Sequence, residues 1–331
     1  MELLKLSDSG LYCEVGDFFI DPWRPVDRAL ITHAHSDHAR PGSRSYLCQA
    51  ASLPVMKLRL GEDTCIETTK YGEITTMNGV SVSFHPAGHI MGSAQIRVEY
   101  RGEVFVVSGD YKTDPDPTCL PFEPVACHTF ISESTFGLPV YQWPDSKSVF
   151  SEINRWWCAN RDQGKTSILF VYSLGKAQRV LLGIDSSIGT IHTHGAVENI
   201  NEIYREAGVA LPVTHRVSGE KKEDWRGTLI LAPPSAQQSA WIKKFGSVST
   251  GFASGWMRIR GARRRRAVDR GFVLSDHADW RGLHSAIESS GAATVLLTHG
   301  YTSAMVRCLT EKGLDARTLT TEFAADENGG E

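Results

Sequence analysis

The sequence predicts an α/β protein in which a strand-rich part is interrupted by an inserted α/β segment. Three observations predict it. Short alternating runs rich in β-branched residues fill the first third of the chain. Helix-period segments interleaved with strands take over after about residue 140, and strand-plus-polar-tip segments return towards the C-terminal end.

In order, GLYCEVGDFFIDP, RALITHAH, VSVSFHPAG, AQIRVEYRG and EVFVVSGD read as strands separated by turns. Val104 to Val107 form a compact apolar run that ends in Ser108-Gly109-Asp110, and TFISE (129–133) repeats the design with Glu133. In each case a polar residue follows a strand end, where a rigid sheet can aim it. Pro139, Pro144 and Asp145 break the pattern. KSVFSEINRWWCANRDQG then has the spacing of a helix ending at Gly164. TSILFVY is a buried-type strand, Ser173 an expected N-cap, and LGKAQRVLLGI a helix. GTIHTH, GTLILAPP and SVSTGF are strand-like; AVENINEIYREAG and AQQSAWIKKFG are helix-like. From Gly271, FVLSDHADW and TVLLTHG restore the strand-tip form. The boundaries predicted are therefore one domain from 1–140 and 256–331, with an insert at 141–255.

Composition narrows the classes. The chain has 331 residues, 41% hydrophobic and 22% charged, which excludes a wholly disordered or fibrous protein. No apolar run approaches the roughly 18 residues of a membrane helix, and the start lacks a basic segment followed by a long apolar one. A cytoplasmic location without membrane contact is the expectation. Seven cysteines, scattered and never in a C-x-x-C pair, argue against a disulfide framework and against a cysteine zinc site. A net charge of −3 gives no global attraction for a polyanion, so any nucleic-acid footprint must be local. The stretch RIRGARRRRAVDR (258–270), with seven arginines against one aspartate, is such a place.

The chemistry concentrates at His33-Ala34-His35-Ser36-Asp37-His38, directly after an apolar strand. So many polar groups at a strand tip need partners, and a metal supplies them at once. One residue separates His33 from His35, so both rings can reach one ion, while Asp37 and His38 can serve a second. Imidazole with carboxylate suits zinc, manganese or iron better than calcium or magnesium. His89, Asp110 and His299 offer further ligands at strand tips.

HAHSDH, the later His89, Asp110 and His299, and the preceding Asp21 resemble the successive motifs of the metallo-β-lactamase superfamily. Glu133 in ISESTFG, His277 in SDHADW and His299 in THG resemble the three extra motifs of its β-CASP branch, a nucleic-acid processing group. ISESTFG, STGFASGWM and the compact length look most similar to bacterial ligase-associated DNA repair exonucleases. The resemblance implies an αββα sandwich with an inserted α/β β-CASP domain acting as a substrate cap. It implies two divalent ions, zinc or manganese. His33, His35 and His89 would bind one and Asp37, His38 and His299 the other, with Asp110 bridging. Asp21 would stand behind the ligands and hold a histidine or the turn. Asp37, Glu133 and His277 form the implied catalytic group, His277 protonating the leaving oxygen and Glu133 fixing its ring. DNA is the implied substrate, attacked from the 5′ end, with RNA as the alternative and a small thioester or lactam less favoured. A DNA ligase and a helicase are the implied associates.

Grip on the substrate is expected from three places. Ser173 and Lys176 would sit at a helix N-terminus, a ready anion site. His194, in IHTHGAVE, offers a further phosphate contact. Arg263 and Arg264 could track a nucleic-acid backbone, making binding steeply salt dependent.

Overall fold

The computed structural model describes residues 3–218 and 224–321. The chain opens with β1 (Lys5–Ser7), β2 (Gly10–Cys13), β3 (Phe18–Ile20), β4 (Arg28–Ile31), β5 (Ser45–Gln49), helix α1 (Leu53–Leu60) and β6 (Ile66–Thr69). These six strands form one sheet in sequence order. β7 (Thr75–Met77), β8 (Val80–Pro86), β9 (Ala94–Tyr100), β10 (Glu103–Val107) and β11 (Thr129–Ser134) follow. Then come α2 (Ser146–Asp162), β12 (Thr166–Phe170), α3 (Lys176–Gly183), β13 (Ile191–Thr193), α4 (Gly195–Glu206), β14 (His215–Arg216), β15 (Leu229–Ala232), β16 (Val248–Ala253), α5 (Arg260–Arg265) and β17 (Arg270–Phe272). The chain returns through α6 (Trp280–Ser290), β18 (Thr294–Gly300), α7 (Thr302–Glu311) and β19 (Asp315–Thr318).

Two compact units result, one of residues 1–141 and 277–331, the other of 142–276. In the first, the second sheet has the order β19-β18-β11-β10-β9-β8-β7, so strands from both ends of the sequence lie side by side. Period-two alternation decides its faces. Val80, Val82 and Phe84 on β8, Ile96 and Val98 on β9, and Phe105 and Val107 on β10 share a core with Leu11, Phe18, Ile20 and Leu30 of the first sheet. Val104 and Val106 point the other way, against Leu283 and Ile287 of α6 and Met305 and Leu309 of α7. Each such fully buried side chain contributes about 1.5–3 kcal/mol.

The second unit is built on a parallel sheet of order β14-β13-β15-β12-β16-β17. Helix α2 starts where Asp145 accepts a hydrogen bond from the Ser148 N–H, and Val149, Ile153 and Trp157 recur every fourth residue on its buried face. They pack with α3 and α4 on Leu169, Val171, Leu229 and Leu231. Ile168, Phe170, Ile230 and Phe252 face the other side and pack, among the described residues, with Trp225, Ala236, Phe245 and Met257.

Three details differ from the sequence expectation. β17 pairs in parallel with β16 and so extends the second unit's sheet, which places 256–276 in that unit rather than with the returning strands. AQQSAWIKKFG contributes only a 3-10 turn, Ala240–Phe245, and part of the arginine run coils into α5. Helix α3 begins at Lys176 with Gly175 as its cap, because Gln178 turns back to accept from the Gly175 N–H; Ser173 lies before the helix. Among the described residues, no helix is long and apolar enough to cross a membrane.

Candidate metal centre

The strand tips of the first unit converge. β4 ends at Ile31 and delivers Thr32 and His33, β8 precedes His89, β10 precedes Asp110, and β18 carries His299. Two glycines allow the close approach. Gly109, at φ +56°, lies against Thr32, and a Cβ there would come within 2.6 Å of the Thr32 side chain. Gly300, at φ +84°, would place a Cβ 2.3 Å from the Ser134 carbonyl oxygen, so the β18 tip can pass beside β11 only without a side chain.

Nε2 of His33 and Nε2 of His89 lie 3.1 and 3.0 Å from Nδ1 of His35. With Asp110 they offer four ligand atoms within 4.8 Å of one another. A tetrahedral site with metal–nitrogen bonds of about 2.0–2.1 Å has edges of about 3.3 Å, close to these nitrogen separations. Nε2 of His38 lies 3.6 Å from both Asp37 Oδ2 and Asp110 Oδ2, and Nε2 of His299 lies 3.2 Å from Asp110 Oδ1. Asp110 thus stands between two groups of donors. Glu133, too, offers an oxygen within 4.8 Å of ligand atoms of Asp110 and His299.

Neighbouring hydroxyls and a carboxylate set the tautomers. Thr32 donates to Asp21 Oδ2 at 2.5 Å, so its lone pair receives His33 Nδ1–H at 3.1 Å. His38 donates its Nδ1–H to Asp21 Oδ2 at 2.7 Å. Thr298 donates to the Ser132 carbonyl and receives His299 Nδ1–H at 3.1 Å. All three rings therefore turn Nε2, with its lone pair, towards Asp110. Asp21 sits behind the cluster at φ +44°, a left-handed conformation that aspartate tolerates better than most residues.

The electrostatics call for positive charge. Burial disfavours protonated His38, but Asp37, Asp110 and Asp21 outweigh it and raise its pKa to about 10. Burial likewise opposes, and the Asp110 carboxylate beside it overcomes, so that His299 also rises. Burial and the charge of His38 push His33 well down, leaving it a neutral donor. Asp110 stays ionised although buried, because His38, His277 and His299 together hold it well below the usual carboxylate range. Its Oδ1 receives no hydrogen bond of normal geometry. A divalent cation fits this donor set: it would supply the positive charge that the carboxylates call for and that otherwise raises His38, leaving pre-oriented imidazoles as neutral donors once it is bound.

Beside the cluster, His277 Nδ1 lies 2.9 Å from Glu133 Oε2, both side chains fully enclosed. Glu133 also receives the Tyr111 N–H at 2.8 Å on Oε1 and the Thr135 hydroxyl at 2.5 Å on Oε2. The His277 ring lies 4.8 Å, centroid to centroid, from that of His89. Sequence reasoning overlooked Thr32, Thr135 and Thr298; a lone threonine beside a ligand was their only signal.

The expected substrate-binding residues lie in the second unit. Lys176 is buried, 3.4 Å from Asp276 Oδ2 and 4.2 Å above the Tyr172 ring, so its ammonium already has an internal anion. His194 caps α4 by accepting from the Ala196 N–H at 3.1 Å, and its ring stands 5.2 Å from Trp241. Arg264 is exposed on α5, while the Arg263 side chain lies outside the described residues.

Two packed sheets that gather five imidazoles and two carboxylates at their strand tips, interrupted by a parallel α/β unit, define an α/β protein with a preformed divalent-cation site. The chain belongs to the metallo-β-lactamase superfamily, in its β-CASP branch. It is 30% identical over 310 residues to "Probable DNA ligase" of Opitutus terrae, a match covering 93% of this chain and 30% of that protein. It is 24% identical over 377 aligned positions to "Endoribonuclease ysh-1" of Neurospora crassa, covering 85% of this chain and 43% of that one. The chain thus spans less than half the length of either relative. No family model matches it. A crystal structure of a protein of unknown function from Enterococcus faecalis shares the fold, with a TM-score of 0.55 at 12% identity over 82% of this chain and 74% of that one.

Proposed function

We propose that the protein is a metal-dependent nuclease that hydrolyses DNA phosphodiesters from the 5′ end in DNA repair. The observation that carries the reading is the His277–Glu133 pair set against the His/Asp cluster. A cation site alone suits many hydrolyses; an enclosed imidazole beside it supplies the proton that a leaving alkoxide needs.

In this reading His33, His35 and His89 would hold one divalent ion and Asp37, His38 and His299 a second, with Asp110 placed to serve both, zinc and manganese both suiting the donors. Paired divalent ions supply Lewis-acid polarisation of the phosphodiester and acidify water near neutral pH. His277, its Nδ1 engaged by Glu133, presents Nε2 to the leaving oxygen and delivers a proton there. Glu133 is a positioning residue, fixed by Tyr111 and Thr135. Asp21 and Thr32 hold the ligand rings in the tautomer that leaves Nε2 available. The layers of the first unit are those of an αββα sandwich, and the second unit serves as the substrate cap.

DNA is favoured because the relative named as a DNA ligase aligns with 93% of the chain. The same match supports functional association with a ligase, and a helicase is a further associate. RNA is the second reading, supported by the relative named as an endoribonuclease. The test offers the metal-loaded protein DNA and RNA strands labelled at either end. Shortening of 5′-labelled DNA to mononucleotides is expected; rapid loss of RNA with DNA left intact overturns the DNA reading.

A further inference from the structure

Some exposed cations of the chain have an acid beside them: Arg216 has Glu202, Arg226 has Asp224, Arg307 has Glu311. Arg260 and Arg264 do not. They are exposed, four residues apart on one face of α5, and take part in none of the ion pairs among the described residues. A like-charge pair at this spacing costs an isolated helix about 0.2–0.5 kcal/mol, and no acid among the described residues pairs with either arginine to offset it. The one acid of the run, Asp269, is turned away to accept from the Thr250 N–H at 2.8 Å.

Other cations share this layer. Gln237 donates to the Arg266 carbonyl, and Arg266 stacks on Phe252 at 4.8 Å. Phe252 belongs to the same core cluster as Trp241 and Phe245, so α5 and the turn bearing Lys243 and Lys244 lie on one face of the parallel sheet. Lys243 is exposed, and the Lys244 ammonium stands 5.1 Å from the centre of the half-buried Trp241 ring.

We propose that this face, which carries Arg260, Arg264 and Lys243, is a binding surface for a nucleic-acid backbone, resting on the nuclease reading for its substrate. A polyanion offsets the repulsion between the two arginines, and release of its counterions drives the association. The half-buried Trp241 ring beside Lys244, on the same turn as Lys243, favours a single strand over an acidic protein, because a base can stack where an acidic side chain cannot.

The test measures fluorescence anisotropy of a labelled single strand of about 20 nucleotides, phosphorothioate-linked to resist hydrolysis, across a salt series. The metal-loaded wild type is compared with Arg260→Gln/Arg264→Gln and with Lys243→Gln. Hydrolysis of bis(p-nitrophenyl) phosphate, too small to reach a backbone groove, monitors the intact site. The double variant should bind about tenfold more weakly and lose about 1.4 from the slope of log affinity against log salt, about 0.7 per phosphate contact. Hydrolysis of the small diester should be unchanged. An unaltered slope in the double variant, or a wild type that binds no oligonucleotide at low salt, overturns the proposal. Arginine-dependent binding by a protein that cleaves neither DNA nor RNA would leave this surface standing and remove the nuclease reading instead.

Discussion

His277 Nδ1 and Glu133 Oε2 lie 2.9 Å apart, joining two residues 144 positions apart within one unit. The carboxylate cannot swing away, because the Tyr111 N–H and the Thr135 hydroxyl hold its two oxygens. The imidazole is thereby fixed next to His89.

His277→Ala should keep its metal and lose turnover by about 10²–10⁴-fold, the usual loss for a general acid. Elemental analysis beside a steady-state assay checks both halves. A variant emptied of metal would show that His277 is a ligand instead.

Thr135→Val should leave KM near that of wild type and lower kcat by about tenfold, since one hydrogen bond to a charged group is worth about 1.5–3 kcal/mol and only part of it bears on the His277 ring. Thr135→Ser should restore the rate. The alkaline limb of the kcat profile should move in the valine variant and return with serine, a change that a merely structural role for Thr135 would not produce.

Asp21→Asn removes the acceptor that His38 and Thr32 share. Metal affinity should fall about 10–100-fold, as for other residues that orient ligands from behind. Titration with zinc or manganese measures it directly, and an unchanged affinity would mean the rings are fixed by packing alone.

Glu198 gives a pH prediction for the second unit. Burial opposes its ionisation, but Thr193, Arg205, Thr214 and Asn201 all donate to its carboxylate and bring its pKa down to about 2. A carboxyl lowered on folding stabilises the fold above its unfolded value, near 4.5, and the contribution fades as pH falls towards 2. It is worth about 3 kcal/mol at neutral pH. Urea melts from pH 7 to 3 should show a loss of stability that Glu198→Gln, already destabilised at pH 7, shows much less steeply.

Much of the candidate site was legible because its residues follow strand ends at short, fixed spacings. His33, His35 and His38 announce themselves within six residues, and an apolar run before Asp110 says where the aspartate is aimed. What escaped depended on distant partners. The parallel pairing of β17 with β16 is not written in either strand, so the boundary near residue 256 could not be placed at 276. Lys176 looked open to an anion because its partner Asp276 belongs to a remote segment. Thr32 and Thr298 matter only through the nitrogen they occupy, which no sequence pattern shows.

Hydrolysis of DNA by the His/Asp cluster should depend on the cations that cluster would hold. The most direct test follows release of 5′ label from single-stranded DNA by wild type and Asp110→Ala, each first stripped with chelator and then reloaded with manganese or zinc. No release is expected from stripped wild type, release on reloading, and none from Asp110→Ala in either state. Equal release before and after reloading, or from Asp110→Ala, would contradict it.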